Sequence, residues 1–176
     1  MSTTAVIEPG ITMGELVSHF PGAQRALFRS YHIGGCSSCG FRPDETLADV
    51  CARNDNLPVA EVIESLKTAQ EADDRMQVSV TEAADLVKEG KAKLVDVRTR
   101  EEYDAVHIDG SIFMTQELMH QLGGWDKTQQ IIFVCHHGIR SLHAIHLLRP
   151  LGFVRLVNLA GGIDGWSRDV DAKVPR

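Results

Sequence analysis

Cysteine, basic charge and long apolar runs are all scarce in this chain. Four cysteines in 176 residues are too few for a disulfide-framework mini-protein. The net charge is −6 and the isoelectric point about 5.7. That balance excludes a general nucleic-acid binder and disfavours adhesion to anionic membranes. The longest apolar runs, such as Ile131–Cys135, have the length of a strand and fall far short of a membrane span. The opening MSTTAVIEPG has no basic n-region and no apolar core, so a signal peptide is not expected. The expected protein is cytoplasmic, with no nucleic-acid and no membrane partner. In the cytosol thiols stay reduced, and cysteines tend to be catalytic, redox-active or metal-binding. What the chain does have is ordinary globular composition, 43% hydrophobic and 24% charged, at a length that fits one large or two small domains.

The charge divides the chain. Residues 1–75 hold 6 Lys/Arg against 11 Asp/Glu, whereas residues 76–176 hold 12 against 13. The stretch Thr68–Arg75 is polar and reads as a helix end running into a linker. It separates a helical domain at 1–72 from a second domain at 76–176. In the first, Thr12 with Glu15 forms a capping box ahead of Leu16 and Phe20. Pro21 opens a second helix, Asp44 to Cys51 suggests a third, and Pro58 opens a fourth through Val62, Ile63 and Leu66. The second domain alternates in type. Strands are expected at Val78–Val80, Lys93–Val97, Gln130–Cys135 and Val154–Leu159. Helices are expected after Thr81, over Glu101–Ala105, Thr115–Leu122, Arg140–Arg149 and Ile163–Arg168. That alternation is the pattern of an α/β domain with a parallel sheet covered on both faces, whose site lies beyond the carboxyl ends of the strands.

Cys135 stands at that end of the most apolar strand. His136, His137, Gly138 and Ile139 follow, then Arg140 and Ser141 at a helix start. A short loop curled around the sulfur can aim backbone N–H groups inward, and the helix N-terminus adds positive potential. Such a cradle favours the thiolate, which is the nucleophile, and holds an anion beside it. The alternative is a buried structural cysteine, against which the Cys–loop–Arg spacing at a strand-to-helix junction argues.

CHHGIRS at 135–141 resembles the Cys-x-x-Gly-x-Arg-Ser loop of the rhodanese-like sulfurtransferases. LVDVRTREEYDAVHIDGSI at 94–112 resembles that family's first signature, and LAGGIDGW at 159–166 its last. Val106 and Asp109-Gly110-Ser111 depart from the usual residues of the first signature, where they bear on packing rather than on the loop. The resemblance implies a rhodanese-like fold and a sulfurtransferase that forms a persulfide on Cys135. The donor would be a small sulfane-sulfur compound such as thiosulfate, and the acceptor cyanide, a thiol or a protein cysteine. His136, His137, Gly138, Ile139, Arg140 and Ser141 would bind the substrate, Arg140 through its charge. Asp96 and Arg98 resemble a supporting ion pair, and His107 a supporting hydrogen-bonding residue. Four residues separate Cys135 from Arg140. Cysteine phosphatases and arsenate reductases use five, so this smaller cradle suits one sulfur atom better than a tetrahedral oxyanion. His143 and His146, one helical turn apart, fit a surface or packing role better than a metal site with Cys135. Trp125 and Trp166 read as packing residues. No metal and no cofactor is expected in this domain.

The first domain carries Cys36 and Cys39 as a C-x-x-C between glycines. Three readings stay open. One is a redox or sulfur-relay dithiol, another a metal or iron–sulfur site completed by Cys51 and His32, the third a tight structural loop. Residues 10–67 also resemble a small helical domain family associated with hybrid-cluster and iron–sulfur repair proteins. The resemblance rests on Met-Gly-Glu-Leu, Phe20-Pro21, Ile-Gly-Gly-Cys-x-x-Cys and Glu45-Thr46-Leu47, and it implies redox chemistry. Two alternatives to an enzyme follow. The chain would be a sulfane-sulfur or redox sensor that carries a persulfide, or a metal or iron–sulfur protein through its first cysteines. Cys51 is expected in the core.

Overall fold

The structure, a computed structural model, describes residues 5–34 and 40–174. Cys36 and Cys39 lie outside the described residues. The chain divides into two compact units that meet between Arg75 and Met76 in sequence.

In the first unit α1 (Met13–His19), α2 (Gly22–Tyr31), α3 (Leu47–Arg53) and α4 (Val59–Asp74) surround one apolar core. The Thr12 hydroxyl accepts from the Glu15 N–H while the Glu15 carboxylate accepts from the Thr12 N–H, which completes the capping box that starts α1. Thr46 and Asp49 repeat this device at α3. Met13, Leu16, Leu27, Leu47, Val50, Val62 and Leu66 fill the interior. Cys51 is 2% exposed among them, and burial pushes its thiol pKa up. The stretch from Thr68 is the expected helix end, and it continues as helix to Asp74. It is the last turns of α4, held where Arg25 pairs with buried Asp73 at 2.5 Å.

The second unit runs β1 (Gln77–Val78), α5 (Val80–Lys88), β2 (Ala92–Asp96), α6 (Arg100–Ala105), β3 (Ile112–Phe113), α7 (Gln116–Gln121), β4 (Gln130–Val134), α8 (Ile139–Leu148), β5 (Leu156–Leu159) and α9 (Gly162–Asp169). The five strands form one parallel sheet in the order β1-β5-β4-β2-β3. Side chains of β4 alternate between its two faces. Ile132 and Val134 pack with Ala83 of α5 and with Ile163 and Trp166 of α9. Ile131 and Phe133 pack with Leu142, Ile145 and Leu148 of α8. Both faces of the strand are therefore buried, which is why it reads as an unbroken apolar run. Each large side chain sealed there stabilises the fold by about 1.5–3 kcal/mol.

Several boundaries differ from expectation. Ser79, not Thr81, caps α5, because its hydroxyl accepts from the Glu82 N–H at 3.2 Å. That early helix start ends β1 at Val78. β2 is shifted by one residue from its expected span to 92–96, and β5 starts later than expected, at Leu156, but keeps its expected end at Leu159. The two-residue β3, pairing with Val95 and Asp96, is too short to show a period of its own. Among the described residues no helix is long and apolar enough to cross a membrane.

Register places the site. Asp96 of β2 lies opposite Val134 of β4, and Phe133 lies opposite Asn158 of β5. The segments that follow β2, β4 and β5 therefore emerge side by side at one edge of the sheet.

Candidate active site

Cys135 is the first residue past β4 and is 1% exposed. Its Sγ receives two hydrogen bonds, from the Gly138 N–H and from the Ser141 hydroxyl, each at 3.2 Å. Gly138 is the N-cap of α8, with φ at 91°, so the helix opens directly beneath the sulfur and its positive end faces the loop. A Cβ on residue 138 would come within 3.1 Å of Asn158 Nδ2 and 3.2 Å of the Leu159 carbonyl oxygen. Backbone angle and space both require glycine there.

The back of the loop is fastened to α9. The Ile163 N–H donates to the Cys135 carbonyl at 2.9 Å, and the Asp164 N–H donates to the His136 carbonyl at 3.2 Å. Gly162 begins that turn at φ 59°, and any Cβ would run into the Cys135 and His136 carbonyl oxygens. The Gly-Gly of LAGGIDGW is thus the bracket for the Cys135 loop. Asn158 of β5 lies behind Gly138. Its Nδ2 donates to Gln77 Oε1 at 2.7 Å, and its buried Oδ1 has no hydrogen-bond partner.

Arg140 does not stand free. Its Nη1 and Nη2 donate to Glu102 Oε2 and Oε1 at 2.7 and 2.6 Å, a bidentate pair between α8 and α6. Glu102 also completes the capping box of α6, whose N-cap is Thr99, and accepts from the Thr99 N–H at 2.9 Å. Arg140 first, then the Thr99 amide, hold its carboxyl down to about 2. The guanidinium pKa is raised in turn, chiefly by Glu102, with Cys135 and Asp96 adding smaller contributions. Sequence reasoning passed over Glu102. The available signals were its place in the first signature and its three-residue spacing from Thr99.

The other residues named from sequence divide by place. Asp96 and Arg98 form a fully buried ion pair, with Arg98 Nη2 also donating to the Val106 carbonyl at 2.6 Å. His107 stacks on Tyr103 at 4.2 Å, and its Nδ1 donates to the Tyr103 carbonyl at 2.9 Å. All three support the 96–107 segment that carries Glu102, and none bonds to the Cys135 sulfur. The His136 and His137 rings meet edge to face at 4.2 Å on the loop itself. Ile139 exposes 49% of its surface there. Trp166 is buried in the sheet core, and Trp125 packs against the α8 face and under the Lys93 ammonium.

The model of the rhodanese-like domain matches residues 79–169, just over half of the chain. The chain belongs to the rhodanese-like domain family. Among relatives of this rhodanese-like domain, the thiosulfate sulfurtransferase GlpE of Shewanella oneidensis is 31% identical over 90 residues, covering 51% of this chain and 89% of that protein. The adenylyltransferase and sulfurtransferase uba4 of Ogataea parapolymorpha is 33% identical over 84 residues, 47% of this chain and 22% of that one. The chain spans about a fifth of that longer relative. A solved structure, reduced CoADR-RHD of Bacillus anthracis, superposes with a TM-score of 0.51 at 24% identity, over 68% of this chain and 21% of that one, and shares its fold.

Proposed function

We propose that the protein is a sulfurtransferase that carries sulfane sulfur as a persulfide on Cys135. The observation that carries this reading is the Cys135 sulfur itself. It sits at the carboxyl end of β4 over the start of α8, with one backbone and one hydroxyl donor aimed at it. The family membership and the thiosulfate sulfurtransferase activity for which GlpE is named support the same chemistry.

With thiosulfate as donor, the Cys135 thiolate attacks the outer sulfur. A Cys135–S bond forms, the donor's S–S bond breaks, and sulfite leaves with the bonding electron pair. An acceptor nucleophile (cyanide, a thiolate or a protein cysteine) then attacks the terminal sulfur and regenerates the thiolate. The Gly138 N–H and Ser141 hydroxyl stabilise negative charge on Cys135 at both stages, worth more at this buried position than in water. Cys36 and Cys39 are the relay candidates within the chain. They are suited to receive the sulfur as a dithiol and to release it on forming a disulfide.

The test is intact-mass spectrometry after thiosulfate treatment, with peptide mapping. One added sulfur on the Cys135 peptide, absent from Cys135→Ser, is the expected result. Full turnover by Cys135→Ser overturns the proposal. Sulfur or a disulfide at Cys36 and Cys39 after loading supports the relay, and their continued reduction counts against it.

A further inference from the structure

At the end of α8 away from Cys135, apolar side chains stand in water. Leu147, in the last turn of α8, is 79% exposed, and Val154, ahead of β5, is 71% exposed. Leu151 lies about one turn beyond Leu147, in the short turn Arg149–Leu151 that extends α8, and it too is exposed. Their neighbours Leu148, Phe153 and Leu156 point inward and fill the core. A single exposed apolar residue is ordinary, whereas a cluster along one stretch of chain marks an interaction surface.

The charges beside this cluster are mostly of one sign. Arg98, Arg100, Arg140 and Arg168 of the second unit each pair with a carboxylate. Arg149 and Arg155 are exposed and have no carboxylate partner among the described residues. Arg149 instead directs Nη1 at the Met76 sulfur, 3.9 Å away. The Val154 N–H donates to the Lys127 carbonyl, which brings a third cation alongside. The Lys127 ammonium lies 4.0 Å above the Phe153 ring and donates to the Leu122 carbonyl. Segments 126–130 and 147–156 hold one acid, Asp126, whose carboxylate accepts from the Thr128 N–H and hydroxyl. Positive charge is thus gathered here on a chain whose net charge is −6.

We propose that this surface docks an acidic amphipathic helix of a partner protein. Its apolar side chains cover Leu147, Leu151 and Val154, and its carboxylates meet Arg149 and Arg155. Charge complementarity selects that occupant. An unpaired guanidinium takes a carboxylate through two parallel hydrogen bonds, and arginine among apolar groups is the composition of a protein interface. The apolar row along α8 and its extension suits a helix laid beside it, with anchors spaced by one turn. A nucleic acid would find an apolar centre and three cations, and an anionic lipid surface would meet a negatively charged chain. The Ile131 N–H donates to the Arg155 carbonyl, so the surface lies at the end of β4 opposite Cys135. A docked helix leaves the Cys135 loop open. The surface is an attachment point, and it stands whether or not Cys135 carries sulfur.

The experiment selects from a phage-displayed library of random peptides of about 16 residues on the full chain. Recovered peptides are synthesised and titrated by fluorescence anisotropy against wild type and against Leu147→Ser/Arg155→Glu. The expected peptides are net negative, with apolar residues at helical spacing, and bind the variant at least about ten-fold more weakly. With peptide bound, hydrogen exchange is expected to slow in 147–156 and to stay unchanged in 136–140. Thermal melting checks that the variant is folded, and Arg155→Glu alone carries the comparison if the double variant is not. Neutral or basic peptides, equal binding by the variant, protection confined to 136–140 or an empty selection each overturn the proposal. A wild-type dimer in sedimentation that the variant loses gives the surface to a second copy and overturns it. Cosedimentation of wild type, but not variant, with phosphatidylserine vesicles gives it to a membrane and does the same.

Discussion

The Cys135 sulfur depends on two neighbours of different kinds, a hydroxyl that touches it and a glycine that never does. Ser141→Ala removes one of the two donors to Sγ. A hydrogen bond to a charged group is worth about 1.5–3 kcal/mol. The expected result is a fall of about ten-fold or more in the rate of Cys135 persulfide formation, with thermal stability little changed. An unchanged rate would show that the Gly138 amide and the helix end suffice. Gly162→Ala acts through the backbone. The new Cβ meets the Cys135 and His136 carbonyls, at a φ that side chains rarely adopt. Nothing flexible can move aside, so a loss of about 2–4 kcal/mol in urea unfolding is expected, together with failure to load sulfur. Wild-type stability in Gly162→Ala would mean that α9 does not fasten the loop.

Between elements, the Glu102–Arg140 pair ties α6 to α8 and makes the site sensitive to acid. The carboxyl titrates at about 2 in the fold against an ordinary 4.5. A carboxyl held down by the fold contributes stability above its unfolded value, and that contribution drains away as the pH falls from about 4.5 toward 2. The two side chains are 32% and 46% exposed, so solvent limits the pair to no more than about 1 kcal/mol. Urea unfolding of wild type and Glu102→Gln at about pH 7, 5 and 3 is expected to show a gap that is full at the first two and shrinks at the third. A gap independent of pH would sink this account. The same pair marks how far sequence reading reaches. The Cys135 loop was legible because its parts lie within seven consecutive residues. The capping box at Thr12 was legible for the same reason. Glu102 meets Arg140 across 38 residues, and only the pairing of β2 with β4 brings them together. Asn158 reaches Gly138 through the β4–β5 register, which local periodicity does not encode. At α5 two hydroxyl residues competed for the cap, and Ser79 won through its spacing to Glu82.

At the scale of the whole molecule, the two units keep separate interiors. Every residue of the helical core lies at or before Leu66, and both sheet cores lie at or after Met76. The Cys135 loop takes its described contacts from Glu102 onward, in α6, α8, β5 and α9. A domain that owns its core and its site needs no help from the preceding helices to fold. A fragment of residues 76–176 is therefore expected to melt cooperatively and to acquire persulfide on Cys135 at a rate within about two-fold of the full chain. The cut falls after the Arg75 cap of α4 and interrupts no element. The proposed relay is tested in the second half-reaction. If Cys36 and Cys39 receive the sulfur, the fragment loads normally but hands it on more slowly than the full chain when no external thiol is supplied. Mixing the fragment with a separate 1–75 fragment restores transfer only at high concentration, because the tether that sets the effective concentration of the dithiol is gone. Equal unloading by fragment and full chain would remove the relay and leave the helical unit to some other task. A fragment that fails to fold would instead show that the sheet domain leans on its neighbour.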